Sequence, residues 1–192
     1  MKSLERDIFK YLSENLSPER FEHSYRVSVF AVKLARIYGA DILKVRTAAL
    51  LHDCAKGMSG EELVGFLKKD KAGIEYFKET AKYSPLLLHS YAGEKIIKKL
   101  FNINDKNILL PVRYHTLGRP AMSLYEKILF TADAVSCDRK YKGASRIRKK
   151  ACTDLDAAFA AVLYNKISYV LKAGLWLCPQ SVDTWNYYAQ KN

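Results

Sequence analysis

The segment LLHDCAKG, residues 50–57, places His52 and Asp53 side by side at the end of an apolar run that is typical of a buried helix. Consecutive helix residues point about 100° apart, so both side chains can face one small ion only where the helix ends. Alternatively, His52 and Asp53 can each face one of two neighbouring ions. The histidine–aspartate pair therefore predicts a metal centre at the end of a core helix.

Helix signals continue along the whole chain. Segments 21–39 and 155–174 repeat apolar residues with a 3.6-residue period, and no segment alternates convincingly as a strand does. Helix starts are predicted at Ser17 with Pro18, Ser59 with Glu62, Ser84 with Pro85, and Ser123 with Glu126, and helix ends at Gly39, Gly57 and Gly174. The sequence therefore predicts an all-α fold, a single helical bundle over residues 1–192 with roughly 8 to 10 helices.

Composition excludes several classes of protein. The 192 residues are 49% hydrophobic, which suits one domain with a good core. The charged N-terminal segment is unlike a signal peptide, and no apolar run approaches the roughly 20 residues that span a bilayer. Four widely spaced cysteines, Cys54, Cys137, Cys152 and Cys178, favour neither a disulfide framework nor a cysteine zinc site. We expect a cytoplasmic protein with reduced thiols and no membrane partner.

The charge balance indicates a polyanionic partner. Lysine and arginine number 32 against 20 acidic residues, a formal net charge of +12, which suits a nucleotide, a nucleic acid or an acidic lipid. The basic run 139–151 contains four clustered cations, Arg146, Arg148, Lys149 and Lys150. No nucleic-acid-binding motif accompanies the run, so a solvated helix end is the favoured interpretation and nucleic acid is not the expected partner. The sequence leaves open whether the protein is a monomer or a homodimer.

The histidines share one kind of context. The chain has four, and each interrupts or ends an apolar helical pattern. One such histidine is more often a hydrogen-bonded core residue, but four on separate helices, one beside a carboxylate, favour metal ligation. Asp133 lies in the apolar segment 128–139, where an unpaired carboxylate is costly and needs a cation or strong hydrogen bonds. The predicted metal ligands are His23, His52, Asp53, His89, His115 and Asp133.

The number of ligands distinguishes a catalytic from a structural centre. The six side chains make seven metal bonds if Asp53 bridges two ions, whereas two octahedral ions need about twelve. The remaining positions are open to water or substrate, as in a catalytic site. Mixed nitrogen and oxygen ligation without thiolate suits iron or manganese and leaves zinc and nickel open.

Five segments carry a family resemblance: FEHSYRV, LLHDCAKG, LLLHSYAGE, RYHTLGRPAMSLYEKILFTADAVSCDR and TWNYY. They resemble the bacterial HD-superfamily symmetrical bis(5′-nucleosyl)-tetraphosphatases (YqeK family), from about residue 18 to about residue 188. The resemblance implies an all-helical HD domain with a di-iron centre that cleaves diadenosine tetraphosphate into two ADP. It also implies that one metal is held by four residues, His23, His52, Asp53 and Asp133, and the other by His89 and His115 with Asp53 bridging.

One departure from the family is visible. Members commonly carry ADYIEPNR where this chain has ADAVSCDR at residues 132–139. Ser136 and Cys137 stand in place of the glutamate and proline, whereas Arg139 is kept. Any role of the glutamate position is therefore open.

The expected chemistry needs cations more than a protein nucleophile. Water held between two metals about 3.5 to 4 Å apart becomes acidic enough to attack phosphorus, and positioning of the phosphate chain supplies much of the rest. The predicted catalytic residues are Asp53 and Lys56, and the predicted phosphate contacts are Arg26, Lys56, Thr116, Arg119 and Arg139. Two alternatives stay open: another HD phosphohydrolase, acting on a deoxynucleotide, a guanosine alarmone or a cyclic nucleotide, or a non-catalytic nucleotide sensor.

Overall fold

The structure is a computed structural model that describes residues 2–190, with side chains from residue 4 onward. Within that range it contains eleven α-helices, two short 3₁₀ helices and no strand. The α-helices are α1 Lys2–Asn15, α2 Pro18–Tyr38, α3 Ile42–Leu51, α4 Gly60–Leu67, α5 Phe77–Tyr83, α6 His89–Leu100, α7 Lys106–Tyr114, α8 Leu124–Val135, α9 Ala144–Ala151, α10 Leu155–Lys172 and α11 Pro179–Ala189. The all-α prediction is confirmed. The described helices exceed the expected eight to ten because α4, α5 and α9 have only seven or eight residues each.

Most helix boundaries follow the predicted caps. Ser59 and Ser123 form capping boxes with their glutamates, and Ser17 caps α2. Gly39 and Gly174 adopt the positive φ angles of helix ends, 71° and 63°.

One boundary prediction holds in part and another is wrong. A helix begins at Pro85 as predicted, but it is the 3₁₀ helix Pro85–Leu88; Ser84 makes no side-chain cap, and α6 begins only at His89. Gly57 is not a helix cap, because α3 has already ended at Leu51. A side chain at residue 57 would meet the backbone carbonyl of Asn15, so glycine is required there by close packing.

Helix packing brings distant helix ends together. Helix α3 packs against α2, α7 and α8, and α7 also packs against α6. Buried apolar side chains from Ile8 in α1 to Leu163 in α10 form one continuous cluster. We infer one domain from this continuous core.

Two further features concern the cysteines and the apolar length of the helices. All four cysteines are free thiols, and Cys54 and Cys178 are buried. Among residues 2–190, no helix is long and apolar enough to cross a membrane.

Candidate metal centre

Five helices or helix ends place ligand-type side chains around one point. Each of two groups, His23 with His52 and Asp53, and Asp53 with His89 and His115, has one ligand atom per residue within 4.8 Å of the others. Asp53 belongs to both groups. Asp133, in the last turn of α8, adds Oδ1 at 3.1 Å from His23 Nε2 and 3.8 Å from His52 Nε2. The fold thus brings all six predicted ligands together.

Three of the histidines are oriented by the backbone. In each, Nδ1 faces the carbonyl oxygen three residues earlier: His52 with Ala49 at 2.8 Å, His89 with Leu86 at 2.7 Å, and His115 with Val112 at 2.7 Å. A nitrogen that faces a carbonyl must carry the proton, which leaves Nε2 of a neutral ring with its lone pair free. The three Nε2 atoms therefore act as acceptors toward the centre.

His23 is oriented by a side chain instead. Its Nδ1 lies 2.7 Å from Oδ2 of Asp138, in the loop after α8, and its Nε2 lies 3.1 Å from Oδ1 of Asp133. Sequence reasoning did not assign a role to Asp138.

The charge states of both carboxylates and of two histidines, His52 and His115, suit metal binding. Burial alone would raise the pKa of Asp53 and Asp133, but the surrounding imidazoles and cations hold the pKa of both well below the usual range. Burial lowers the pKa of His52, and it lowers the pKa of His115 to about 4. Burial opposes protonation of His23 as well, but hydrogen bonds to its two carboxylate neighbours raise its pKa. Ionised carboxylates and neutral buried imidazoles are the forms that bind divalent metal ions.

An unsatisfied atom marks where a cation fits. His52 is fully buried, and its Nε2 has no hydrogen-bond partner among the described residues. An orphaned buried acceptor of this kind is uncommon and costly. The two carboxylate oxygens nearest to His52 Nε2, Asp53 Oδ2 at 3.7 Å and Asp133 Oδ1 at 3.8 Å, are also hydrogen-bond acceptors and cannot donate to it. A divalent cation between them would satisfy all three atoms, so the residues fit a metal ion.

Two predicted phosphate contacts lie beside the ligands. Lys56 Nζ is 3.8 Å from Asp53 Oδ1 and 3.2 Å from His89 Nε2. The hydroxyl of Thr116 is 3.1 Å from His115 Nε2. Both groups can donate hydrogen bonds to an anion at the centre.

Arg139 and a residue that sequence reasoning missed, Lys166, surround Asp133. Arg139 Nη2 donates to Asp133 Oδ1 at 2.8 Å, and Lys166 Nζ is 3.8 Å from Oδ2 of the same carboxylate. Lys166 also donates to the backbone carbonyl of His115 at 3.0 Å. Burial lowers the pKa of this lysine.

The other two predicted phosphate contacts are engaged elsewhere. Arg119 donates two hydrogen bonds to Glu126, at 2.6 and 2.9 Å, and its remaining described contacts are also outside the ligand groups. Arg26 pairs with Glu22 at 2.7 Å and is 4.0 Å from the sulfur of Cys137. Their roles in phosphate binding stay predictions, and the pairing weakens the case for Arg119.

A basic groove opens beside Asp133. Its volume is about 600 Å³, and Arg139, Lys142, Lys166 and Lys172 are among the residues that line it. This size is in the range of small-molecule pockets. The groove can therefore hold an anionic ligand against the candidate metal centre.

Comparison with known proteins gives consistent matches. The HD-domain family pattern matches residues 20–138. The symmetrical bis(5′-nucleosyl)-tetraphosphatase of Halalkalibacterium halodurans is 34% identical over 90% of this chain and 90% of its own length. The enzyme of the same name from Bacillus subtilis is 31% identical over 92% of both chains. A crystal structure from Clostridium acetobutylicum, described as that of a predicted HD superfamily hydrolase involved in NAD metabolism, has a TM-score of 0.91 at 37% identity, and the match covers 97% of both chains.

The matches cover both the candidate metal ligands and most of the fold. The matched segment 20–138 contains every one of the six clustered ligands. The alignments extend well beyond it, over about nine tenths of each relative. The chain therefore belongs to the HD-domain family and, within it, to the symmetrical bis(5′-nucleosyl)-tetraphosphatases.

Proposed function

We propose that the protein is a metal-dependent phosphohydrolase that cleaves diadenosine tetraphosphate symmetrically into two ADP. The relatives that bear this activity in their names align over about nine tenths of both chains. The observation that carries the proposal is the pair of ligand groups that share Asp53, next to a basic groove. A polyphosphate bound in that groove would reach the ligands directly.

We further propose that two ions bind, with iron as the native metal and manganese, nickel and zinc as alternatives. Four imidazole nitrogens and two carboxylates form a mixed nitrogen and oxygen donor set without thiolate, which supports this choice. Ions bound there supply Lewis acidity toward phosphoryl oxygens and make a nearby water acidic.

The protein residues bind and orient the phosphate chain. Lys56 lies on the Asp53 side of the centre, and Lys166 and Arg139 lie on the Asp133 side. Cations on both sides of the ligands would hold a run of phosphates across the centre, and Thr116 adds a hydroxyl donor there. Fixed cations also stabilise charge that develops on the transferred phosphoryl group. Symmetrical cleavage requires that they hold a central phosphorus at the ligands.

Two cations of the basic run 139–151 are engaged within the protein, so they are not available to a nucleic acid. Arg139 contacts Asp133, and Arg148 donates to the backbone carbonyl of Ser136 at 2.7 Å, so both of these cations have internal partners. The free thiols support a cytoplasmic location. Analytical ultracentrifugation would show whether the protein is a monomer or a homodimer in solution.

Product analysis tests the reaction. Metal-loaded protein is incubated with diadenosine tetraphosphate in ¹⁸O-labelled water, and the products are separated and examined by ³¹P NMR. We expect ADP alone, with the label on the β-phosphate, because attack at a central phosphorus leaves the new oxygen there. The Asp53→Asn variant is the inactive control.

Other outcomes favour the alternatives. AMP plus ATP would mean that the clamped phosphorus is not central and would contradict symmetrical cleavage. Preferred turnover of a deoxynucleotide, a guanosine alarmone or a cyclic nucleotide would indicate another HD phosphohydrolase. Tight ADP binding without turnover of any nucleotide, under reducing and iron-loaded conditions, would indicate a sensor.

A further inference from the structure

His23 faces an orientation problem that the other three histidines do not have. His52 and His115 follow the last residues of α3 and α7, where backbone carbonyls lack helical partners. His89 is the first residue of α6, after a 3₁₀ turn. His23 instead lies inside α2, where the carbonyl three residues earlier accepts a helical hydrogen bond. Its ring therefore needs a partner from outside its own helix.

Asp138 supplies that partner. Its Oδ2 accepts from His23 Nδ1 at 2.7 Å, and the two residues are 115 positions apart in the chain. The side chains are mostly buried, with 13% of His23 and 28% of Asp138 exposed. A contact shielded in this way is geometrically defined and only partly open to competition from water.

The loop that carries Asp138 is fixed at its start. The Arg139 amide donates to the carbonyl of Ser136 at 2.9 Å, and Arg148 from α9 donates to the same carbonyl at 2.7 Å. Arg139 also donates through Nε to the carbonyl of Asp133 at 3.1 Å. These bonds tie the Asp138 backbone to the end of α8, which itself carries a ligand.

We propose that Asp138 is a positioning residue for metal binding, which holds the proton on Nδ1 of His23 and directs Nε2 into the group formed with His52 and Asp53. A carboxylate behind a ligating histidine fixes the tautomer and makes the ring a better donor, and its loss typically costs about 10- to 100-fold in metal affinity. The group of Asp53, His89 and His115 receives no such support from Asp138. The effect is therefore specific to one of the two groups. The inference rests on the two-metal part of the proposed function and is independent of the substrate.

The test is a Mn²⁺ titration of the full chain after chelation, with free Mn²⁺ measured by EPR. We expect Asp138→Ala to weaken one of two sites by about 10- to 100-fold and to leave the other unchanged. Asp138→Asn keeps an oxygen that can accept from Nδ1, so it should retain most of the affinity. Cys137→Ala, an exposed neighbour in the same loop, should match the unaltered protein.

Three results would overturn the inference. The first is an Asp138→Ala protein that binds both ions as tightly as the unaltered protein. The second is equal weakening of both sites, and the third is an Asp138→Asn protein that binds no better than Asp138→Ala, since a general disturbance of the loop would act in either of these ways. Because no nucleotide is present, failure of the proposed hydrolysis would leave the result unaffected, and the two failures are distinguishable.

Discussion

Replacing Arg119 by alanine is expected to destabilise the protein and to leave its metal binding intact. Glu126 is fully buried, and the Arg119 guanidinium donates to both of its carboxylate oxygens, at 2.6 and 2.9 Å. The same carboxylate accepts from the Ser123 amide at 2.8 Å and so closes the capping box of α8. Without Arg119, a buried charge that also anchors a helix start would lose its cation.

The magnitude follows from the burial of the pair. Removing one partner of a buried ion pair costs about 3 to 5 kcal/mol. The Arg119 side chain is 28% exposed, so water can reach the vacated space and the cost falls to about 2 to 3 kcal/mol. For a chain of this length, that loss lowers the midpoint of thermal unfolding by about 4 to 12 °C.

A double-mutant cycle measures this contribution. Urea unfolding is followed by circular dichroism for Arg119→Ala, Glu126→Gln and the double variant. We expect the double variant to lose less stability than the two single losses added together, because a neutral glutamine does not need the cation. The reasoning would be refuted if Arg119→Ala unfolded within about 0.5 kcal/mol of the unaltered protein while kcat/KM fell by roughly tenfold or more. That result would restore the phosphate contact predicted from the sequence.

The remaining predictions concern the centre. Asp53→Ala should lose at least one of two bound ions, because Asp53 belongs to both ligand groups, and full occupancy by metal analysis would exclude a bridging role. Lys56→Ala should lower kcat/KM by roughly tenfold or more with metal content unchanged. The control variant Lys33→Ala, at an exposed position of α2, should change neither quantity. Loss of metal from Lys56→Ala would contradict the assignment of Lys56 to phosphate binding. In the metal-free protein, burial lowers the folded-state pKa of His52 and His115 below the unfolded value of about 6.5, so the unfolded chain binds protons first as pH falls. Stability should therefore decrease from about pH 6.5 toward about pH 4, and a flat thermal midpoint over that window would contradict this account.

The six ligand-type residues could be predicted because their side chains conflict with their surroundings. Histidine and aspartate within apolar helical segments are costly unless something pairs with them, and that cost is visible in the sequence. Helix starts at Ser59 and Ser123 were predictable for a related reason, because capping is a local interaction between residues three apart.

Contacts between distant residues could not be predicted in this way. Asp138 lies among charged loop residues, and its sequence context resembles that of any solvated aspartate. Its partner, His23, is 115 residues away. Arg119 follows His115 closely in the chain, which favoured phosphate binding, but the fold gives its guanidinium a nearer carboxylate in Glu126. The contact between His23 and Asp138 depends on which helix ends meet, and no local pattern contains that information. The Arg119–Glu126 contact spans only seven residues, but the path of the loop between α7 and α8 decides it, and the sequence gives no signal for that path.

Lys166 differs from these residues because its signal was present in the sequence. It follows Phe159, Val162 and Leu163 by seven, four and three residues, and all three are buried, so the helical period places residue 166 next to the core face of α10. A lysine at such a position must either extend to water or find acceptors. It finds the carbonyl of His115, at the end of α7 where backbone carbonyls are free and the helix dipole is negative. The same helix end thus supplies a candidate metal ligand and anchors a cation beside it, which concentrates positive charge where a phosphate chain would bind.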